Sequence, residues 1–345
     1  CGIIEWIFVS VTNIIIFREM GAGVDSCAGK PIGTGIVHLL EIDYIRIIID
    51  SKMGMETQTR FRVDKSKCIK CGKCLNTCSG LVLRFGDDGY PEMIPFERFG
   101  WRGCWRCQHC LAVCPEGAIS IFGKRPEDSL PPAPGEMGRY MESLVTNRRS
   151  CRRFLAKNVD PEIISGILKA MEAAPTGGNA MGVEYTVIDD IDRVDEIWQE
   201  AYAAMEEKAA RHIYTHSFSD FYYKKMKESE KSLRKDDLLF CGAPHLFIAH
   251  EKCVGKWAED SKANCHIATA YFELLCNAHG LGTTIMSYSA EVLNELAPAA
   301  RKMLGIPEDH YTGLIVGFGY PEIKYARGVQ KDRKGKIHRY SEKKK

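Results

Sequence analysis

The sequence predicts an α+β protein of two domains. Three observations carry that expectation: a cysteine run that occurs twice, a proline-rich stretch after the second run, and strand-like pieces alternating with helical ones from there onward. At 345 residues the chain is long enough for two domains with sizeable cores. A formal net charge of +2 argues neither for a nucleic-acid partner nor for a strongly charged surface, and no nucleic-acid partner is expected. Taken in order, the expected segments are an extension of uncertain origin over 1–52, a cysteine-rich domain over 53–124, a linker over 125–137 and a larger domain over 138–345.

Residues 1–52 are isoleucine-rich, begin at Cys1 and carry no capping or ligand pattern. Val9–Phe17 is apolar, but Glu5 and Asn13 break the character of the stretch and no basic segment precedes it. It is too short and mixed for a membrane-spanning helix and makes a poor signal peptide, so no membrane partner is expected. The expected native start is Met53 or Met55.

The cysteine runs are Cys68-x2-Cys71-x2-Cys74-x3-Cys78 and Cys104-x2-Cys107-x2-Cys110-x3-Cys114, the second followed by Pro115. Three thiolates at two-residue spacing can wrap one face of a cubane, while the fourth points toward a second one. The spacing therefore predicts two [4Fe-4S] clusters with crossed ligands. Cys68, Cys71, Cys74 and Cys114 would hold one, and Cys104, Cys107, Cys110 and Cys78 the other. Structural zinc also uses C-x2-C pairs, but such pairs stand well apart, whereas here four cysteines crowd each run. The runs form an internal repeat with a 36-residue offset, Cys68 to Cys104. Ser79 stands where a proline would follow the first run, which leaves that turn less rigid and the ligands unchanged. From about Arg60 to Lys124 the segment resembles bacterial two-cluster ferredoxins. Trp101 and Trp105 flank the second run and are expected to shield its cluster from water.

The other seven cysteines, Cys1, Cys27, Cys151, Cys241, Cys253, Cys265 and Cys276, have no paired spacing and read as reduced, mostly buried thiols of a cytoplasmic protein. The cluster chemistry itself suits an anaerobic or well-protected interior. Four prolines between Pro126 and Pro134 then predict a stiff, extended linker.

Past the linker, Asp160 is placed to cap a helix that has Pro161 at its first position, with Ile163, Ile164, Ile167, Leu168 and Met171 on one face. Val183–Ile188 reads as a strand and a long helix follows from about Asp192. His245–His250 and Thr312–Phe318 read as buried strands. Between them Ala263–His279 reads as a helix, with Gly280 as its C-cap. His245, His250, His266 and His279 are expected to be core histidines. The charged and aromatic stretch from Glu200 to Leu238, with Tyr214, Phe218, Phe221, Tyr222 and Tyr223, reads as a surface helical hairpin or a lid.

The densest positive charge is Arg148-Arg149-Ser150-Cys151-Arg152-Arg153. Guanidinium forks and a hydroxyl suit a phosphate, although such a run alone also describes a solvated basic face. Three further motifs accompany it: Pro175-Thr176-Gly177-Gly178-Asn179, Gly280-Leu281-Gly282-Thr283-Thr284, and Gly317-Phe318-Gly319-Tyr320-Pro321 with Arg327 soon after. In this order the four motifs resemble the nitroreductase family of FMN flavoproteins, over about Met141 to Lys331.

That resemblance implies a nitroreductase-like α+β flavin domain behind the ferredoxin-like one, and an enzyme that binds FMN. Arg148, Arg149, Ser150 and Arg152 would hold the phosphate and ribityl chain, and Arg327 with Lys324 would close on it. Pro175, Thr176 and Asn179 would line the ring edge. The loop from Gly282 through Thr283 to Tyr288 would pass the reactive face, with a backbone N–H near Ser287 facing flavin N5. Two departures concern the substrate pocket: Ala180-Met181-Gly182 follows Asn179 where the family often has Gln-Pro-Trp, and Tyr288 is bulky. Cys151 reads as a small buried residue.

The implied function is an oxidoreductase that passes electrons through two clusters to FMN, which reduces a small-molecule acceptor: a nitro compound, a quinone or an activated alkene. The resemblance also implies a homodimer. A ferredoxin or NAD(P)H is the expected donor, and no G-x-G-x-x-G follows a predicted strand, so a Rossmann site is not expected. Two alternatives stay open: an electron carrier or redox sensor without turnover, and an NAD(P)H-fed flavin whose clusters export electrons.

Overall fold

The computed structural model describes residues 59–229, 237–253 and 258–330, together with two short strands nearer the N-terminus. It divides into two compact units, Cys1–Thr57 and Gln58–Lys345. In the first, β1 (Ile7–Val9) pairs antiparallel with β2 (Ile14–Ile16), Ile7 facing Ile16. Cys1, Cys27, the start at Met53 or Met55 and the rest of 1–52 lie outside the described residues.

The second unit opens with the cysteine-rich region. β3 (Arg62–Val63) pairs antiparallel with β6 (Ile119–Ser120), and β4 (Leu83–Phe85) with β5 (Pro91–Met93). Two single-turn helices, α1 (Lys73–Asn76) and α2 (His109–Ala112), carry Cys74 and Cys110. The repeat seen in the cysteines extends to the backbone. Left-handed residues Lys70, Gly72 and Leu81 recur at the same offset as Arg106, Gln108 and Gly117. Such conformations are costly for side-chain-bearing residues, so their recurrence marks matching turns in the two thiol-bearing halves. The halves touch closely at two glycines: a Cβ on Gly80 would stand 2.1 Å from the carbonyl oxygen of Gly103.

Residues 129–135 are exposed, after one 3-10 turn at Pro126–Asp128. Helix α3 (Met137–Asn147) then leads to the arginine run. The Asp160 carboxylate accepts from the Glu162 N–H at 2.9 Å and starts α4 (Pro161–Met171), which buries Ile164, Ile167 and Met171. Asp190 caps α5 (Ile191–Ala210) in the same way. After α6 (Asp220–Ser229) come β8 (His245–Lys252), α7 (Ala258–Ala278), β9 (Gly282–Met286), α8 (Ser287–Glu295), α9 (Pro298–Met303) and β10 (His310–Gly319). With β7 (Glu184–Ile188), the strands form an antiparallel sheet in the order β7-β8-β10-β9.

Strand alternation splits the core. Leu246, Ile248 and Ile315 pack on one face with α5, α8 and α9 residues, and Phe247, Ala249, Val316 and Phe318 pack on the other with α4 and α7. The sheet is thus covered on both sides, within the α+β class expected from the sequence. Phe247 and Phe272 stack at 3.8 Å at the centre of the second face.

Several expectations are corrected. Gly282–Tyr288 is not a loop but β9 followed by the start of α8, because its β-branched Thr283, Thr284 and Ile285 complete the sheet edge beside β10. His266 and His279 are exposed; they lie on or just after α7, away from its apolar face. His245 and His250 are buried. The Val159 N–H donates to His245 Nε2 at 2.8 Å, and burial pushes this imidazole down to about 4. In the 200–238 stretch Phe218 is fully buried, whereas Phe221 and Tyr222 are exposed.

Candidate cluster and anion sites

The local turns of the cysteine-rich region gather its thiols into two groups. Cys68, Cys71, Cys74 and Cys114 line one cavity with Pro115 and Ile119; Cys78, Cys104, Cys107 and Cys110 line another with Trp105 and Ile121. Each group thus takes three thiols from one run and one from the other. Burial pushes the Cys110 thiol up to about 12 and raises Cys74 and Cys104 in the same direction. Such thiols stay protonated by themselves, and a bound cation reverses the balance by stabilising the thiolates. The Arg106 N–H donates to Cys104 Sγ at 3.4 Å and the Ala118 N–H to Cys114 Sγ at 3.3 Å, contacts that also stabilise negative charge on sulfur.

Trp105 lines the second thiol cavity, but Trp101 is 70% exposed and does not. Trp101 meets Trp105 edge-on at 4.8 Å and lies against the Gly177–Asn179 turn, where a Cβ on Gly178 would stand 3.3 Å from its Nε1. Asn179 Nδ2 donates to the Trp105 carbonyl at 2.9 Å. The turn is held from behind: Gly177 N–H donates to Asn264 Oδ1, and Asn264 Nδ2 donates to the buried Glu251. Gly178, Asn179 and Met181 all take positive φ, so this is a strained turn fastened at both ends.

The arginine run lies extended between the sheet edge and the C-terminal segment. The Cys151 N–H donates to the Thr283 carbonyl at 2.7 Å, Leu155 N–H to Tyr320, and Glu322 N–H to Arg153. A cavity of about 580 Å³ opens here, lined by Arg149, Ser150, Arg152, Arg153, Gly282 and Lys324 among others, and among the described residues no carboxylate lines it. Arg149 Nη1 donates to the Thr146 and Arg148 carbonyls, while its Nη2 is buried without a partner. An unmatched buried guanidinium nitrogen at a cavity of this sign suits an anionic oxygen. Gly282 must lack a side chain, since a Cβ there would stand 2.7 Å from Cys151 Sγ.

Of the residues picked from the sequence, the cavity brings together Arg149, Ser150, Arg152, Gly282 and Lys324. Arg148 is turned away into a half-buried ion pair with Glu273 at 2.9 Å. Thr283 is buried and accepts from Asn277 Nδ2 at 3.0 Å. Pro175, Thr176, Asn179, Ser287 and Arg327 do not line the cavity, although Gly328, next to Arg327, packs beside Asn147 and Arg149. Sequence reasoning missed Asn147, Asn277 and Tyr325 as lining residues. Only pairing of the run with β9 and with the 320–322 segment brings them together.

Comparison with known proteins gives this arrangement its relatives. The 4Fe-4S dicluster domain model matches residues 67–118. An uncharacterized ferredoxin of Methanocaldococcus jannaschii is 32% identical over 65 residues, spanning 19% of this chain and 80% of the relative. Solved structures that this chain resembles include nitroreductases with bound FMN from Desulfitobacterium hafniense and Bacteroides fragilis. Each is 19% identical, with 58% of this chain and 98% of the other covered and a TM-score of 0.45. An FMN-dependent nitroreductase from Clostridium difficile is also 19% identical, over 58% of this chain and 98% of its own, with a TM-score of 0.41. The nitroreductase family model matches residues 145–320, just over half of the chain. The chain therefore belongs to the nitroreductase family and is an oxidoreductase of that family with a ferredoxin-type dicluster domain ahead of its catalytic fold.

Proposed function

We propose that this oxidoreductase passes electrons through two [4Fe-4S] clusters to FMN and so reduces a small nitro, quinone or activated-alkene acceptor. The observation that carries the reading is the union, in one compact unit, of two four-thiol cavities with a cavity lined by Arg149, Arg152, Arg153 and Lys324. Cys68, Cys71, Cys74 and Cys114 would hold one cluster and Cys78, Cys104, Cys107 and Cys110 the other. Both groups fit, because each offers four thiol donors and a largely apolar wall. FMN fits as well: the unpartnered Arg149 Nη2 would meet a phosphate oxygen, Ser150 and Arg152 would add donors, and Lys324 would add charge. When bound, the clusters carry single electrons and the flavin exchanges one or two, which suits acceptors that take electron pairs.

The chain's own part is binding and positioning. Arg148, tied to Glu273, would fix the run that presents Arg149, Ser150 and Arg152. The backbone of β9 and α8 near Ser287, together with Pro175, Thr176 and Asn179, is proposed for the ring. A second copy of the chain is proposed to cover α3, whose Met137, Tyr140, Met141 and Val145 are exposed on one amphipathic helix. Among the described residues no helix is long and apolar enough to cross a membrane. The proposed compartment is the cytoplasm, where thiols stay reduced. A ferredoxin or NAD(P)H is the proposed donor.

The test is anaerobic. Protein loaded with iron, sulfide and FMN is reduced with dithionite, freed of excess reductant and mixed with a nitroaromatic or a quinone. Reoxidation of both chromophores with stoichiometric loss of the acceptor is expected. Unchanged acceptor beside a reduced protein would instead favour an electron carrier, and reduction of the flavin by NAD(P)H ahead of the clusters would reverse the proposed flow.

A further inference from the structure

We propose that Glu184, His250 and His310 bind one divalent transition-metal ion of the zinc class at one end of the central sheet, leaving a fourth position open. Three adjacent strands supply the donors. Glu184 opens β7 directly opposite His250 of β8, and His250 in turn faces Thr312 of β10, two residues after His310. One donor atom from each of the three residues lies within 4.8 Å of the others. A hydrogen-bonded sheet fixes these positions more firmly than a loop would.

The two imidazoles already point at each other, with His250 Nδ1 2.9 Å from His310 Nδ1. Nitrogens about 2.0–2.1 Å from a tetrahedral ion stand about 3.3 Å apart, so the rings need open by only about 0.4 Å. Thr186, two residues beyond Glu184 on β7 and so on the same face, lies 3.0 Å from His250 Nε2. Its hydroxyl can accept the Nε2 proton, which leaves the Nδ1 lone pair facing the site; outer hydrogen bonds of this kind orient ligand histidines elsewhere. His310 Nδ1–H then donates to His250 when no metal is bound. On metal binding that proton leaves to water or moves to His310 Nε2, and no redox partner is needed.

Two imidazoles and one carboxylate suit zinc, nickel or copper and not magnesium or calcium, which prefer all-oxygen sets. A hydrogen-bonded histidine pair serving only the fold would not need a carboxylate converging on the same point. Glu184 is exposed, and on the other side His310 lines a cavity of about 710 Å³ together with Arg301, Glu308 and Thr312; Glu184 and His250 do not line that cavity. Arg301 opposes a cation here, but its guanidinium is engaged by Asn294, Pro307 and Thr312. Its charge would also favour an anion, such as hydroxide or a carboxylate ligand, at the fourth position. The site shares no lining residue with the thiol cavities or the arginine cavity.

The experiment uses holoprotein, so that the cluster thiols are occupied. After chelator washing, it is dialysed against Zn²⁺ under anaerobic conditions, and zinc and iron are both counted. One zinc per chain above the washed baseline, at unchanged iron, is expected. Because Glu184 is exposed, E184Q should fold normally and bind about 10–100-fold more weakly. H310A should lose the ion. T186V should weaken binding by about 10–100-fold, with rescue by T186S. Anomalous scattering at the zinc edge should then place one ion between His250 and His310. Absence of extra zinc, or equal retention in E184Q and H310A, overturns the proposal.

Discussion

The cysteine-rich region and the sheet region solve the same problem with different means. The first has strands of two or three residues and helices of four, and its buried set includes Cys74, Cys104 and Cys110 beside Val82, Leu83, Leu111, Ile119 and Ile121. The second buries two large clusters on the faces of a four-stranded sheet, with Phe247, Phe272 and Phe318 at full depth. A region of some sixty residues with such short elements has little apolar area to offset the entropy of ordering its chain. Ligation of the expected clusters would supply the missing stabilisation there, whereas ordinary burial serves the sheet.

The contrast can be broken most forcefully from the thiol side. C110S should lower iron from about eight to about four atoms per chain, as expected for loss of one cubane. Amide protection should collapse across 59–124 while the strands of the sheet keep theirs, as hydrogen exchange would register. Loss of protection in both regions together would mean one cooperative unit. The reciprocal change, F272A, empties the stack on Phe247 and should cost about 3–5 kcal/mol in the sheet region, read from chemical denaturation, at unchanged iron content.

Proton linkage should distinguish the regions next. His245 has a folded value of about 4, below the ordinary 6.5. The unfolded chain therefore takes up its proton first as pH falls. Stability from this group is complete above about pH 6.5 and is lost on acidification towards pH 4, with a total on the order of 3 kcal/mol. H245Q, which can still accept from Val159, should flatten that part of the sheet region's pH profile. A smaller effect is expected for R149M: loss of a charge-assisted contact worth about 1.5–3 kcal/mol should raise the FMN dissociation constant about 10–100-fold. N179A should remove one bond between the regions, worth about 1 kcal/mol, and speed amide exchange in the Trp101–Trp105 turn without loss of iron.

Much of the architecture could be read from spacing. The Asp160-Pro161 cap, the long helices after Asp190 and before Gly280, and the apolar runs of β8 and β10 follow local rules, and the structure contains all of them. The regrouping of thiols was legible for the same reason, because the x2-x2-x3 spacing already makes the fourth cysteine point elsewhere. What spacing could not convey was contact between distant segments. Arg148 looked equivalent to Arg149, and only Glu273, brought close by α7, separates a pinned guanidinium from an unmatched one. Gly282–Tyr288 was expected as a loop only through the family resemblance, while pairing with β10 makes most of it a strand. His250 read as a core residue, since its neighbours Glu184 and His310 are 66 and 60 positions away and meet it only across strands.

The close approach of Gly80 and Gly103 has a consequence for how the repeat can diverge. At 2.1 Å from a carbonyl oxygen there is no room for even a methyl group at Gly80, and a Cβ on Gly103 would stand 2.3 Å from the Phe96 ring. The two halves are therefore locked back to back, so neither can drift in outline without the other yielding. Inheritance in this region should act on the pair: the surfaces and outer residues of each half are free to change, while the seam changes only by matched steps in both copies.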